Sequence, residues 1–218
     1  MNRVVIIGAG SHGREVAEIL RQQMQQGFDV TIVGFVDDDV RFAHQIVDDL
    51  PVLGAWSWFE GANRNGIAVI CASGFSEIRK RMAQRAMKSE LSFANAISPL
   101  AHVSERATIG RGVVIYAHAT VGRGSVVGDH VLINAGSIVS HDNMLEPYAT
   151  LNPAVSLAGN VSVAEGAYLG IGCNAIQGIR IGAWSTVGAG AVVTRDVPDR
   201  VTAVGVPAKV INQKTLQE

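Results

Sequence analysis

The sequence predicts two architectures in series: a small α/β parallel sheet over residues 1–95, then an all-β parallel β-helix over residues 96–218. Three observations carry this reading. Strand-like and helix-like segments alternate in the first half. From Ile97 onward an aliphatic residue recurs at every sixth position. Glycine, at 24 of 218 residues, exceeds the usual ~7%, while charged residues, at 17%, fall below the usual ~25%. A net charge of −1 gives no electrostatic footprint for nucleic acid or an anionic membrane. The N-terminal apolar run is too short to span a bilayer and lacks a signal-peptide pattern, so no membrane insertion is expected. Cys71 and Cys173 lie far apart in the chain, which fits a reduced, cytoplasmic setting.

In the first half, residues 3–7 read as a buried strand, followed by Gly8-Ala9-Gly10-Ser11-His12-Gly13 and an amphipathic helix to about residue 26. Val30–Val36 is a second strand, ending in Asp37-Asp38-Asp39. Residues 67–72 form a third and 91–94 a fourth, with a helix over Ser76–Lys88 between them. The basic residues Arg79, Lys80, Arg81, Arg85 and Lys88 read as a solvated helix face. Trp56, Trp58 and Phe59 read as packing for the small domain, one of them able to border a ligand. His44 reads as surface.

The second half keeps one phase. Ile97, Val103, Ile109, Ile115 and Val121 begin a series of seventeen aliphatic positions that ends at Val193 without an insertion. Four residues after many of them stands a small residue, among them Ala119, Ser137, Ala167 and Cys173. Helices need a period near 3.6 and strands a period of two. A period of six fits short strands joined by sharp turns and stacked as a β-helix. Cys173 is then a packing residue. Asn143 breaks the small-residue series just after His141-Asp142.

His141 falls two residues after Val139, on an outward turn. If three repeats make one coil, the same corner one coil later holds Gly159, which offers no side chain to keep a ligand from the backbone. A neutral imidazole accepts a proton near neutral pH, and the adjacent Asp142 can orient it and stabilise its charged form. His102, His118 and His130 have no partners at metal-ligand spacing, so no metal is expected.

Gly8, Gly10 and Gly13 form a literal G-x-G-x-x-G after a strand, with Asp37 or Asp38 at the end of the next strand. An NAD-dependent oxidoreductase is one reading of this loop. Against it, about 95 residues supply only one mononucleotide-binding half. The same backbone N–H groups can cradle the diphosphate of a nucleotide-sugar. A non-catalytic spacer is a further reading of the β-helix.

The glycine loop in its G-x-G-x-H-G form occurs together with Asn134-Ala135-Gly136-Ser137-Ile138-Val139-Ser140-His141-Asp142. Ala158-Gly159-Asn160-Val161 and the closing Val204-Gly205-Val206-Pro207-Ala208-Lys209 complete the set. The chain thereby resembles, over nearly its whole length, the hexapeptide-repeat sugar acetyltransferases. These include bacillosamine and perosamine N-acetyltransferases and the sialic acid O-acetyltransferase group.

The resemblance implies a left-handed parallel β-helix behind a Rossmann-like domain that receives a nucleotide-sugar. It implies acetyl transfer from acetyl-CoA to the amine of a nucleotide-linked 4-amino-4,6-dideoxy sugar, in surface-polysaccharide or glycan biosynthesis. O-acetylation of sialic acid or a related sugar is the alternative. By resemblance His141 is the general base, Asp142 orients it, and Asn134 lines the acceptor pocket. Gly10, Ser11 and His12 bind substrate, with Asp37 and Asp38 on its nucleoside. Gly159, Ile171 and Ala189 contact acetyl-CoA. Thr150 replaces a second histidine that many relatives place near the cofactor, and its hydroxyl is expected to hydrogen-bond there. A cytoplasmic homotrimer with CoA held between neighbouring prisms is implied as well.

Overall fold

The computed structural model describes residues 2–61 and 66–213, so the last five residues of the predicted second half lie outside it. The chain starts with β1 (Asn2–Ile7), α1 (Ser11–Gln25) and β2 (Val30–Val36). A 3-10 turn at Val40–Phe42 leads to β3 (Ile46–Val47), β4 (Leu50–Gly54) and α2 (Trp58–Gly61). Then come β5 (Ile67–Cys71), α3 (Ser76–Lys88) and β6 (Ser92–Phe93). The sheet runs β3-β4-β2-β1-β5-β6 and is parallel except for the β3–β4 pair.

Sequence reading anticipated the four strands corresponding to β1, β2, β5 and β6 but not this hairpin. Its two-residue turn, Asp48-Asp49, has both residues at positive φ. That is the conformation of a type I′ turn, and Asp-Asp is a weaker signal for it than Asn-Gly.

From β7 (Ala96–Ile97) to β23 (Val192–Val193), seventeen two-residue strands start every six residues. Each pairs in parallel with the strand eighteen residues away, as Val114–Ile115 does with both Ala96–Ile97 and Leu132–Ile133. Three sheets result, and they form the faces of a left-handed β-helical prism. The second residue of each strand points inward, and the interior is a continuous aliphatic column from Ile97 to Ala203. Each such side chain removed from water contributes about 1.5–3 kcal/mol, which is why the six-residue phase tolerates no insertion. The small positions close the corners: Ala119, Ser137, Ala167 and Cys173 are all buried. Burial also pushes the Cys173 thiol up to about 12, consistent with a packing role.

β24 (Val201–Val204) continues the first face in parallel, and β25 (Lys209–Gln213) then pairs with it in antiparallel fashion. The first face is also where the α/β domain docks. Its outward residues Ala96, Val114, Leu132 and Thr150 are at most 1% exposed, and three of them share a core with Val16 and Leu20 of α1.

The clamp at this junction is Arg79, which has no exposed surface and corrects its reading as part of a solvated face. It lies on α3 with Ser76, Ala83 and Ala86 on the helix's buried stripe. Its guanidinium donates to the carbonyls of Ser73, His130, Tyr148 and Ala149 and to Oγ1 of Thr150. Burial lowers its pKa to about 10, still far above neutrality. Beside it Lys80 pairs with Glu165 at 2.6 Å. Among the described residues, no helix is long and apolar enough to cross a membrane.

Candidate active site

The prism edge opposite the covered face joins the second face, which carries Ile138–Val139, to the third, which carries Met144–Leu145. His141 and Asp142 stand on this edge, more than half exposed. Nδ1 of His141 lies 2.9 Å from Oδ2 of Asp142. Asp142 adopts φ 56°, the left-handed corner conformation, and its N–H donates to the Arg123 carbonyl at 2.9 Å. Aspartate tolerates that conformation better than most residues.

Close approach fixes the dyad from both sides. A Cβ on Gly159, one coil above, would meet His141 Cε1 at 2.4 Å and Nε2 at 2.6 Å. A Cβ on Gly124, one coil below Asp142, would meet Oδ1 at 2.2 Å. The His141–Gly159 neighbourhood follows from the period, whereas Gly124 escaped the sequence reading. An eighteen-residue step back from Asp142 would have found it.

Asn143 fills a small-residue slot and is buried. Its amide donates to the Ser140 carbonyl at 3.0 Å and accepts from the Val161 N–H at 2.7 Å. The residue that breaks the pattern therefore stiffens the corner that carries the imidazole.

The other candidate residues lie elsewhere on the molecule. Asn134, Ile171 and Ala189 occupy the edge between the first and second faces, separated from His141 by the width of the second face. His12 faces that same edge: its ring lies 3.0 Å from the Tyr116 hydroxyl, which donates to Glu15. Tyr116 sits one coil below Asn134. Burial, then the charge of Arg79, lowers the His12 pKa to about 4, so the ring is neutral at pH 7.

Gly10 caps α1 without a side-chain hydrogen bond and Ser11 is exposed, leaving first-turn N–H groups available to an anion. Gly13 is required by packing, since a Cβ there would stand 1.9 Å from the Gly8 carbonyl oxygen.

Beside this loop a cleft of about 440 Å³ opens among Gly8, Asp37, Asp38, Trp56, Arg81 and Arg85. Arg81 and Arg85, read from sequence as solvated, face this cleft. Asp37 accepts from the N–H groups of Ala9 and Asp39, tying the glycine loop to the end of β2. Asp38 accepts from the Trp56 N–H at 2.9 Å and from Arg85 at 2.5 Å, and both hold its carboxyl below the usual range. The Arg85 guanidinium lies 4.2 Å over the Trp56 ring.

Thr150 requires a correction. It has no exposed surface, and Oγ1 is engaged by Arg79 at 2.7 Å and Ser76 at 3.0 Å. It belongs to the domain junction and cannot touch a cofactor on the prism surface.

The upper coils present open surface. Where side chains of Gly172, Gly178 and Gly190 would stand, nothing lies within 4 Å, and Ile171 presents an exposed apolar surface. Among the described residues there is no group of three or more His, Cys, Asp or Glu able to hold a metal ion.

Comparison with known proteins shows the family. Residues 3–86 match the PglD N-terminal domain family. The chain is 32% identical over 216 residues to GDP-perosamine N-acetyltransferase of Escherichia coli O157:H7, covering 96% of each protein. It superposes with a TM-score of 0.90 on GDP-perosamine N-acetyltransferase from Caulobacter crescentus, at 38% identity over 98% of both chains. That structure is of a histidine-to-alanine mutant in complex with CoA and GDP-perosamine. The acetyltransferase domain of PglB from Neisseria gonorrhoeae FA1090, in complex with acetyl coenzyme A, matches with a TM-score of 0.87. It is 32% identical, over 96% of this chain and 99% of that one.

Proposed function

This chain belongs to the hexapeptide-repeat sugar N-acetyltransferases, and on that basis we propose that it acetylates the amino group of a nucleotide-linked amino sugar from acetyl-CoA. The observation that carries this reading is His141 seated against the bare backbone of Gly159, with Asp142 on its Nδ1. We assign residues 1–95 to the nucleotide-sugar and residues 96–218 to acetyl-CoA and catalysis.

In this reading His141 Nε2 takes the proton from the sugar amine as its nitrogen bonds to the thioester carbonyl carbon. Base catalysis of this kind is worth about 10²–10⁴ in rate, and Asp142 assists it by holding the Nδ1–H tautomer and balancing the charge that develops. The Gly159 N–H, which has no acceptor among the described residues, polarises the thioester oxygen. The collapsing intermediate expels the CoA thiolate, and His141 returns the proton to sulfur. Ile171 and Ala189 line the acetyl-CoA path. His12, Gly10 and Ser11 hold the substrate next to Asn134, with Asp37 and Asp38 at its nucleoside. A 4-amino-4,6-dideoxy sugar is the acceptor class, consistent with the perosamine named for the relatives.

The same layout supports a homotrimer. His12 and Asn134 stand on one edge of the prism and His141 on another, so a single copy does not enclose the acceptor. A neighbouring copy that brings its His141 edge against the first copy's Asn134 edge closes the site. We place the enzyme in the cytoplasm, where acetyl-CoA and nucleotide-sugars are made.

The test is a screen of nucleotide-linked amino sugars with acetyl-CoA, read by free thiol release and product mass. Turnover with at least one is expected. His141→Asn should then lower kcat by about 10²–10⁴-fold with CoA affinity unchanged. Near-normal turnover of that variant would remove His141 from the base role.

A further inference from the structure

The edge that carries His141 is not uniform along its length. For two coils above His141 it holds the small or neutral residues Ala158, Gly159, Ile176, Gln177 and Gly178, the side that suits a slender thioester, and the next charge in that column is Arg195, three coils up. Below it the same corner holds Arg123 one coil down and Arg106 in the coil beneath, both exposed. Neither guanidinium has an ion pair or side-chain hydrogen bond among the described residues. Glu105, two coils below His141 in the column of Arg123, does not approach it to ion-pair distance. The Arg123 backbone, in contrast, is fixed, because its carbonyl receives the Asp142 N–H. The result is a free cation on a rigid stem, one coil from the base.

The α/β domain buries the first face from Ala96 to Thr150, and the His12 ring of its glycine loop lies against Tyr116, in the same coil as Arg123. In a side-by-side assembly of parallel prisms, a neighbour's nucleotide domain therefore stands level with the lower coils, on the Arg123 side of His141. Resting on the reading above, we propose that Arg123 is a positioning residue that binds the diphosphate of the nucleotide-sugar presented by a neighbouring copy. Adjacent coils are about 4.8 Å apart, a distance that a pyranose ring bridges between its anomeric phosphate and an amine on the far carbon. An arginine fork suits a phosphate better than a lysine point charge does. The uncapped N-terminus of α1 faces the diphosphate from its own copy, and Arg123 closes it from the other.

The experiment compares wild type, Arg123→Met and Arg123→Lys in steady-state kinetics, with each substrate varied at saturation of the other. Arg123→Met should raise KM for the nucleotide-linked amino sugar by about 10- to 100-fold. KM for acetyl-CoA should stay within twofold, and Arg123→Lys should recover part of the loss. Raising ionic strength should weaken acceptor binding in wild type and much less in Arg123→Met. An unchanged acceptor KM, or a rise confined to acetyl-CoA, overturns the role of Arg123 while wild-type turnover upholds the reaction. Absence of transfer by wild type to every nucleotide-linked amino sugar is a different failure, that of the parent reading.

Discussion

Gly124 and Asp142 are matched across adjacent coils: the carboxylate occupies the space a side chain on the glycine would need, 2.2 Å from where its Cβ would lie. Gly124 also has φ +71°, which an alanine adopts only under strain. Gly124→Ala should push the carboxylate off Nδ1, and Gly159→Ala should push the imbedded edge of the imidazole outward. Each is expected to reduce kcat about 10- to 100-fold, since small misplacements of a base have that effect. KM for both substrates should change little. Full kcat in Gly159→Ala would mean that the ring position seen here is not the working one.

Asp142→Asn keeps a hydrogen-bonding group but removes the charge and allows the imidazole to turn the wrong nitrogen outward. A fall in kcat of about tenfold or more is expected, with acetyl-CoA binding by calorimetry unaltered. Asp142→Glu should retain more activity than Asp142→Asn.

Arg79 and Thr150 bear on stability. Removing the Arg79 guanidinium strands the buried carbonyls of Ser73, His130 and Tyr148, so Arg79→Met should cost about 3 kcal/mol in denaturant unfolding. Thr150→Val should cost about 1 kcal/mol and leave KM for acetyl-CoA unchanged. A selective rise in that KM would restore Thr150 to the cofactor site.

Acid should weaken the fold through two histidines. His130 is buried between Phe93 and Tyr148, and burial lowers its pKa to about 4, as for His12. An unfolded histidine titrates near 6.5. Between that value and 4 the unfolded chain takes up protons the folded one refuses. This contribution is thus complete above pH 6.5 and is lost as pH falls, at up to about 1.4 kcal/mol per unit for each ring. Urea unfolding from pH 7 to pH 4.5 measures the slope, which His130→Gln should roughly halve.

Much of this was legible in the sequence for a physical reason. Each inward side chain of the prism reports its own burial at a fixed interval, so the phase appears directly in the letters, and His141 and Gly159 follow from it. The α/β half gave its main strands but hid the Ile46–Pro51 hairpin, whose turn residues are uncharacteristic. Arg79 was misread because its charge outweighed its position. Its spacing from Ala83 and Ala86, four and seven residues on, already placed it on the buried stripe. Thr150 was misread because its role was carried over from the second histidine that many relatives have at that position. Its own column, Ala96, Val114 and Leu132, was apolar on the outside, the mark of a face that something covers.

The closing hairpin has a consequence for assembly. Stacked coils with matching ladders are open polymers by nature, because the top of one prism is a template for the bottom of another. Where β25 folds back on β24, the ladder of the first face changes direction, and a further parallel strand finds no matching row of donors and acceptors there. That reversal works as a chain terminator on that face, discouraging end-to-end fibre growth while leaving the prism's sides available for lateral partners.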